Sequence, residues 1–390
     1  MMNARVLIAG DLFPRWNNME QFKRGDTEAL FGSDLCALFQ SADFSVCNLE
    51  GCLTEGDMPI AKNKSGPRIT APRASFRGIA QLGLSCVAIA NNHLMDCGAK
   101  GFSSTVRTLD EYGMPWFGAG ENSGSVRTGH QVDVNGIRIA FYAVAEWLGN
   151  APKEDYPGVN VYDEYRVCRE IRALRESSDH VIVLYHGGLE STPFCTELAQ
   201  IRLRRMADAG ADIVISQHTH AIGEAEYYHG AYLLYGQGNF CFHQTPSTPL
   251  TENGLLLQAD MDRDSFEITC HPVKHTSAGI RLNPEYDMSE FRARSDRLSR
   301  GDTFDAEFEA HALQLRRKVF RAIRGDRFLE KVRYKLLSPD RYEDYFIRSY
   351  SLDHLLRIRQ LLKNEEFWEV TVRLIDRAIE KKLRSEEQTR

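Results

Sequence analysis

Five short apolar stretches of this chain each end on a polar side chain that is able to bind a metal ion. The residues at these ends are Asp11, Glu50, Asn92 with His93, His186, and His218 with His220. In open α/β sheets, ligands bind beside the carboxyl ends of the strands. We therefore expect five separate stretches to bring two carboxylates, one amide and four imidazoles to one place.

These apolar runs are separated by stretches in which apolar residues recur at helical spacing. The helical stretches lie at residues 27–40, 72–82, 99–112, 162–177 and 196–209. In the last of them, apolar side chains fall near one face of a helix, and Gly210 ends the pattern as a C-terminal glycine does. Alternation of strands with helices is typical of βαβ units. The sequence therefore predicts an α/β fold.

Three hairpin patterns interrupt this alternation. Residues 132–143 turn at Asn135-Gly136, residues 227–235 turn at His229-Gly230, and residues 255–273 turn around Asp262 to Asp264. An Asn-Gly pair tolerates the positive φ that a type I′ turn requires at both central positions. A purely parallel doubly wound sheet does not contain such hairpins. A mixed sheet, or two sheets packed face to face with helices outside, accounts for both patterns.

The strand patterns stop near residue 285, and the remaining sequence has the pattern of successive helices. Apolar residues recur there at helical spacing, for example at Leu352, Leu355 and Leu356. We therefore predict an α/β domain at residues 1–284 and a helical domain at residues 285–390. Because a wide apolar stripe must be buried, we expect the helical domain to pack against the first domain or against another chain.

The amino-acid composition indicates the general class of the protein and the cellular compartment to expect. With 390 residues, 43% of them hydrophobic and 26% charged, the chain is typical of a soluble globular protein. A net charge of −6 argues against a nucleic-acid partner. The sequence has neither a signal-peptide pattern at its N-terminus nor a run of about 20 apolar residues. Nine scattered cysteines without a Cys-x-x-Cys pair predict reduced thiols in a cytoplasmic protein.

The set of polar strand ends predicts a metal centre. A mixed nitrogen and oxygen set of this size suits zinc, manganese or iron, and it has room for one or two ions. Each residue has an ordinary explanation by itself: Asp11 as a turn or cap residue, Glu50 as a solvated strand end, and Asn92 as part of an Asx-turn. Their coincidence at five strand ends favours the metal site.

Six motifs occur in an order and spacing that resemble a known family. They are Gly10-Asp11, Asn48-Leu49-Glu50-Gly51, Asn91-Asn92-His93, His186 to Glu190, Gly210-Ala211-Asp212 continuing to His218-Thr219-His220, and Tyr235 to Phe240. The chain resembles the CapA family of poly-γ-glutamate and capsule biosynthesis proteins, a branch of the calcineurin-like metallophosphoesterases. The resemblance covers about residues 5–245. Residues 285–390 lie outside it.

The resemblance implies a four-layer α/β/β/α metallophosphoesterase-like sandwich with a two-metal site and a helical extension. The implied metal ligands are Asp11, the bridging Glu50, Asn92, His186, His218 and His220. His93 corresponds to the general acid, and Asp96 either orients it or is a surface residue of the following loop. The chain departs from the wider superfamily at Phe13, where many relatives have a histidine, so that the first metal site loses a ligand.

These features lead to two main hypotheses on function. The first is a metal-dependent hydrolase that cleaves a phosphoester, or an amide of an anionic polymer such as poly-γ-glutamate. The second is a non-catalytic capsule-assembly factor that retains the fold and one metal. Lys64 and Arg68 are candidates for binding an anionic substrate, although a solvated loop also explains them, and His243 is a candidate lining residue.

A third hypothesis concerns the helical extension and its partners. A basic amphipathic stretch runs from Arg316 to Arg324, and it is typical either of an adaptor that recruits membrane enzymes or of an ordinary packed helix. The partners expected for the chain are capsule-synthesis proteins or a second copy that binds through this extension.

Overall fold

The computed structural model of the protein describes residues 3–61, 66–146, 150–244, 248–302, 304–324, 350–363, 367, 369–374 and 377. The described residues fall into two compact units. One unit lies within Met1–Ala61 and Arg68–Thr303, and the other lies within Lys62–Pro67 and Phe304–Arg390.

Strands and helices alternate along the first unit. In chain order its strands are β1 (Ala4–Leu12), β2 (Phe44–Leu49), β3 (Cys52–Thr54), β4 (Thr70–Pro72), β5 (Cys86–Ala88), β6 (Trp116–Phe117), β7 (Ala119–Gly120), β8 (Gly129–Val134), β9 (Ile137–Ala145), β10 (Gly158–Val159), β11 (His180–His186), β12 (Ile213–Gln217), β13 (Ala225–Tyr228), β14 (Ala231–Leu234), β15 (Asn239–Cys241), β16 (Asn253–Met261), β17 (Phe266–His275) and β18 (Ile280–Leu282). Its helices are α1 (Met19–Arg24), α2 (Thr27–Gln40), α3 (Phe76–Ala80), α4 (Gly98–Glu111), α5 (Glu164–Ser177), α6 (Glu197–Asp208) and α7 (Ser289–Ser299).

Two large mixed sheets form the centre of this unit. The first has the strand order β18-β17-β16-β1-β2-β5-β6, with β15 also paired to β1. The second has the order β13-β14-β12-β11-β9-β8. The strands that precede the polar ends are parallel to one another within each sheet, whereas the hairpin partners are antiparallel. Parallel pairing places successive strand ends at the same edge of a sheet.

The two sheets pack face to face, and helices cover their outer faces. Phe44 of β2 stacks on Phe141 of β9, with ring centroids 5.1 Å apart. Helices α5 and α6 pack on the second sheet, and α2 packs beside β18 of the first. Strand β11 is buried along its whole length, as expected for a parallel strand that is covered on both faces. The predicted α/β/β/α sandwich is therefore confirmed.

The predicted hairpins are present, and the predicted helices differ from the observed ones mainly at their ends. Asn135 and Gly136 adopt φ values of 54° and 83°, which a type I′ turn requires. The pairing of β16 with β17 forms the third hairpin. The predicted helix at 72–82 is shorter than expected, because a 3₁₀ turn (Arg73–Ser75) precedes α3.

Helices also continue beyond the last strand, as predicted. Helix α7 belongs to the first unit, where Ser295 Oγ accepts a hydrogen bond of 3.0 Å from the backbone N–H of Ala225. The second unit contains α8 (Asp305–Arg324) and α9 (Leu352–Lys363). The domain boundary between residues 284 and 285 stays a prediction, and the side chains of the basic stretch 316–324 lie outside the described residues. In the part of the chain that the structure describes, no helix has both the length and the apolarity to cross a membrane.

Candidate metal centre

The register of β1 with its two parallel neighbours forms one side of the candidate site. Asp11 lies opposite Asn48 of β2 and Asn239 of β15. The buried Asp11 carboxylate accepts hydrogen bonds from Asn48 Nδ2 at 2.7 Å and from the backbone N–H of His218 at 3.1 Å. Since His218 follows β12, this carboxylate is held by both sheets.

Glu50 is the most unusual carboxylate of the site. It follows β2, it is 0% exposed, and neither of its oxygens has a hydrogen-bond partner in the described part of the chain. Its Oε1 lies 3.6 Å from His186 Nε2 and 3.9 Å from Nε2 of both His93 and His220. Burial, and after it the negative charge of Asp11, raise the pKa of Glu50 well above its ordinary value. A buried carboxylate without donors is costly, and a bound cation would remove that cost.

His186 contributes a neutral imidazole at the end of β11. Burial and then the neighbouring imidazoles of His218 and His220 lower the pKa of His186 well below its ordinary value. Its ring nitrogens lie 3.1 Å from Asn48 Nδ2 and 3.0 Å from Asn92 Oδ1. Ligands bound at about 2.1 Å to one ion lie about 3 to 3.5 Å apart, so the Asn92–His186 spacing also suits a shared metal ion.

His218 and His220 both have left-handed backbone conformations, with φ of 77° and 57°. Such strain at residues other than glycine persists where the surrounding structure maintains it, and it is concentrated at functional sites. His218 Nδ1 has no hydrogen-bond partner among the described residues. His220 Nδ1 donates a hydrogen bond to Asn239 Oδ1 at 2.8 Å. The other ring nitrogen, Nε2, therefore carries the lone pair, and it lies on the side of Glu50. Fixing the tautomer in this way is typical of metal-binding histidines.

The six predicted ligands form one continuous cluster. Potential ligand atoms of Glu50, His218 and His220 all lie within 4.8 Å of one another. Asp11 lies 3.5 Å from His220 Nδ1 and 3.7 Å from His186 Nδ1. Carboxylates, an amide oxygen and imidazoles, some of them with buried atoms that have no hydrogen-bond partner among the described residues, together fit a divalent transition metal. The assignment of individual residues as ligands stays a prediction.

His93 and Asp96 form a dyad at the edge of this cluster. His93 Nδ1 lies 2.9 Å from Asp96 Oδ2, and the same oxygen accepts a 2.7 Å hydrogen bond from the backbone N–H of Ile69. Asn91 Oδ1 accepts from the backbone N–H of His93 at 3.0 Å. The carboxylate thereby sets the ring orientation, and Nε2 points toward Glu50. This is the arrangement expected for an oriented proton donor.

Three buried asparagines hold the clustered side chains in place, and no role for them was apparent from the sequence. Asn48 contacts both Asp11 and His186, Asn91 donates to Asn48 Oδ1 at 3.1 Å, and Asn239 holds His220. All three are almost completely buried. An amide within or beside an otherwise apolar buried strand is the sequence pattern that indicates such a residue, because a buried polar group needs partners.

Phe13 stands at the position where a further histidine ligand was expected. Its side chain is fully buried, and a Cβ placed on Gly51 would lie 2.5 Å from Phe13 Cζ. The aromatic ring therefore packs directly against the backbone that follows Glu50. This residue contributes apolar packing and offers no ligand atom.

We predict that Gly51→Ala destabilises the protein by about 1–3 kcal/mol, because the added methyl group forces the Phe13 ring or the backbone beside Glu50 to move. Denaturant unfolding measures the change. Gly124→Ala is a matched control, since its added Cβ would approach Asn122 Oδ1 only to 3.4 Å. Equal free energies of unfolding for the two variants would show that the ring has room to shift.

The remaining candidates from the sequence either have contacts outside the clustered ligands or lie outside the described residues. Lys64 lies outside the described residues. Arg68 is half-buried. The pKa of Cys97 is lowered to about 7 by a hydrogen bond from Cys52 and, after it, by the positive charge of Arg68. His243 Nε2 lies 2.9 Å from the backbone oxygen of Thr276, and its ring stacks on that of His275. Substrate contact by these residues stays a prediction.

Comparison with known proteins adds a family match. Residues 5–244 match the family model described as bacterial capsule synthesis protein PGA_cap. The chain is 25% identical over 246 residues to the capsule biosynthesis protein CapA of Bacillus anthracis, covering 61% of this chain and 60% of that protein. It is 27% identical over 238 residues to the PGA biosynthesis protein CapA of Bacillus subtilis, covering 60% of this chain and 62% of that protein. The match thus spans about three fifths of these relatives.

Similar solved structures have low sequence identity to the chain. A structure described as a novel phosphatase from Mycoplasma pneumoniae is 12% identical and has a TM-score of 0.45, covering 75% of this chain and 100% of that chain. A 5′-nucleotidase precursor from Thermus thermophilus is 10% identical and has a TM-score of 0.40, covering 71% of this chain and 56% of that chain.

Proposed function

The chain belongs to the bacterial capsule synthesis protein family PGA_cap, and we propose that it is a metal-dependent hydrolase in capsule or poly-γ-glutamate biosynthesis. Its substrate in this proposal is a phosphoester or an amide of an anionic polymer. The observation that carries the proposal is Glu50, a fully buried carboxylate without a hydrogen-bond donor in the described chain, surrounded by imidazoles.

The residues that would hold the ion are Glu50, His218 and His220, with Asp11, Asn92 and His186 around them. Manganese, zinc and iron all suit this donor set. When bound, such an ion supplies Lewis-acid chemistry, which makes a water more acidic and polarises the bond to be cleaved. The number of bound ions, one or two, depends on the Phe13 side of the site, because the aromatic ring there offers no ligand atom.

The chain's own residues supply the proton transfer. His93 is oriented by Asp96 and presents Nε2 to the site 3.9 Å from Glu50 Oε1. In the proposed reaction the protonated His93 ring donates its proton to the leaving group, a role that suits imidazole near neutral pH. Asn48 and Asn239 keep the acidic and imidazole side chains in position through buried hydrogen bonds.

The test is to measure the metal content of the full chain and its hydrolytic activity. After loading with manganese or zinc, elemental analysis is expected to find at least one ion per chain. Activity is then compared on bis-p-nitrophenyl phosphate and on a γ-linked glutamate oligomer, with and without a chelator. Less than one ion per chain, or no chelator-sensitive cleavage of either substrate, would contradict the proposal.

A second candidate function is a non-catalytic capsule-assembly factor that retains the fold. The packing of Phe13 against Gly51 favours it, since this position provides no ligand for a second ion. In that case the protein would hold metal but cleave neither substrate. The two candidates therefore differ in turnover at equal metal content.

The proposal also includes a compartment, a domain division and partners. We place the chain in the cytoplasm because nine cysteines without a Cys-x-x-Cys pair are typical of reduced proteins. Residues 285–390 are proposed to form a helical domain that binds capsule-synthesis proteins or a second copy of the chain. Sedimentation of the full chain alone distinguishes self-association from a monomer that awaits another partner.

A further inference from the structure

Arg15 is fixed close to the metal centre by the loop that follows β1. Its Nε donates to the backbone oxygen of His243 at 3.0 Å. Its backbone N–H donates to Oδ1 of the buried Asn18 at 2.7 Å. A half-buried arginine held at both its backbone and its Nε has lost much of the freedom of a surface side chain.

Aromatic stacking connects Arg15 to a candidate metal ligand. The guanidinium carbon lies 5.1 Å from the centre of the Phe242 ring. The same ring stacks on the imidazole of His220, with centroids 5.2 Å apart and planes inclined by only 4°. Phe242 therefore contacts both the guanidinium and the imidazole that faces Glu50. The arginine lies at the rim of the site, one aromatic ring away from a ligand.

The charge of Arg15 is only partly compensated. Burial, which is the largest effect, lowers the pKa of Arg15, while the charges of Glu50 and Asp96 act in the opposite direction. Among the residues that the structure describes, no carboxylate lies within 4.0 Å of this guanidinium, and only its Nε has a hydrogen-bond acceptor. The two terminal nitrogens thus remain available as a planar fork for an oxyanion.

The geometry points to Arg15 as the residue that binds the anionic oxygens of the substrate beside the metal centre. This inference rests on the proposed hydrolase function and specifies how its substrate is recognised. The recognised group is an oxyanion, which is either a phosphate or a carboxylate of a polymer. A guanidinium that is positioned before binding gives up little side-chain entropy when the anion arrives.

The test compares anion binding by the full chain and by Arg15→Gln. Inorganic phosphate and a γ-linked glutamate oligomer are titrated by calorimetry into manganese-loaded and metal-free protein, and bound manganese is counted in each sample. We expect Arg15→Gln to weaken binding of at least one probe by about 10- to 100-fold at unchanged metal content. The affinity of Arg15→Lys is expected to lie between those of the wild type and Arg15→Gln, because lysine keeps the positive charge but lacks the planar pair of terminal N–H donors. The probe that loses more affinity shows whether the recognised group of the substrate is a phosphate or a carboxylate.

Arg127→Gln is the matched control, since Arg127 also stacks on an aromatic ring, that of Trp116, at 4.2 Å. It is expected to bind both probes as the wild type does. Wild-type affinity of Arg15→Gln for both probes would overturn the inference. Should the Gln variant fail to fold by circular dichroism, Arg15→Lys decides, and unaltered binding by that variant would equally overturn it. Absence of manganese from the wild type would contradict the hydrolase proposal, whereas the metal-free titrations still measure the contribution of Arg15.

Discussion

Glu50→Gln is expected to remove most of the bound transition metal, with an affinity loss of at least about 100-fold. The amide keeps the shape of the side chain but removes the negative charge, which lies 3.6 Å from His186 Nε2 and 3.9 Å from His220 Nε2. Elemental analysis after manganese loading and desalting measures the effect. His218→Ala is expected to have a similar effect, because it removes an imidazole of the same cluster.

Stability of the metal-free protein provides an independent measurement on the same variant. A neutral amide replaces a buried carboxyl group that has no hydrogen-bond donor among the described residues and whose ionised form is disfavoured by burial. Metal-free Glu50→Gln is therefore expected to be more stable to denaturant than the metal-free wild type.

Glu224→Gln is the matched control for Glu50→Gln, since Glu224 is also 0% exposed but accepts a 2.9 Å hydrogen bond from the backbone N–H of Cys195. It is expected to keep its metal. Full metal content in Glu50→Gln would show that this carboxylate is not a ligand.

His93→Ala is expected to lower turnover by about 10²- to 10⁴-fold while the metal content stays the same. The reason is that a proton donor acts in the transition state, whereas His93 Nδ1 is held by Asp96 and not by the ligand cluster. Turnover is measured on whichever of the two proposed substrate classes the metal-loaded wild type cleaves. Asp96→Asn is expected to give a smaller loss, because the ring remains present but loses the carboxylate that orients it.

His271→Ala controls for the removal of an imidazole outside the site. His271 lies on β17, and its Nε2 contacts Gln258 Oε1 at 3.1 Å. This variant is expected to retain its activity. If His93→Ala retained full turnover on a substrate that the wild type cleaves, the proton donor would have to be another group. If both His93→Ala and the wild type were inactive at full metal content, the assembly-factor hypothesis would be favoured.

Much of the fold is predictable from sequence because its causes are local. The apolar run of β11 and the Asn135-Gly136 turn specify strand and hairpin from neighbouring residues alone. The order of strands and helices in turn indicates an α/β architecture. Polar residues at the ends of parallel strands also predict a common site, since parallel register brings those ends together. The shorter helix at 76–80 shows that element ends are decided less locally.

The tertiary structure decided which contacts each residue makes in that site, because these contacts join distant parts of the chain. Asn48 reaches Asp11 across 37 positions of sequence, and the backbone of His218 reaches the same carboxylate across 207. The burial of Glu50 among imidazoles that end or follow strands of the second sheet also arises only when the two sheets pack together. The stacking of Arg15 on Phe242 in turn depends on the pairing of β1 with β15, which are more than 200 positions apart in the sequence. Sequence periodicity is local and reports which face of an element is apolar. Hydrogen-bond partners and desolvation depend on which elements meet, and that is a property of the packed sandwich.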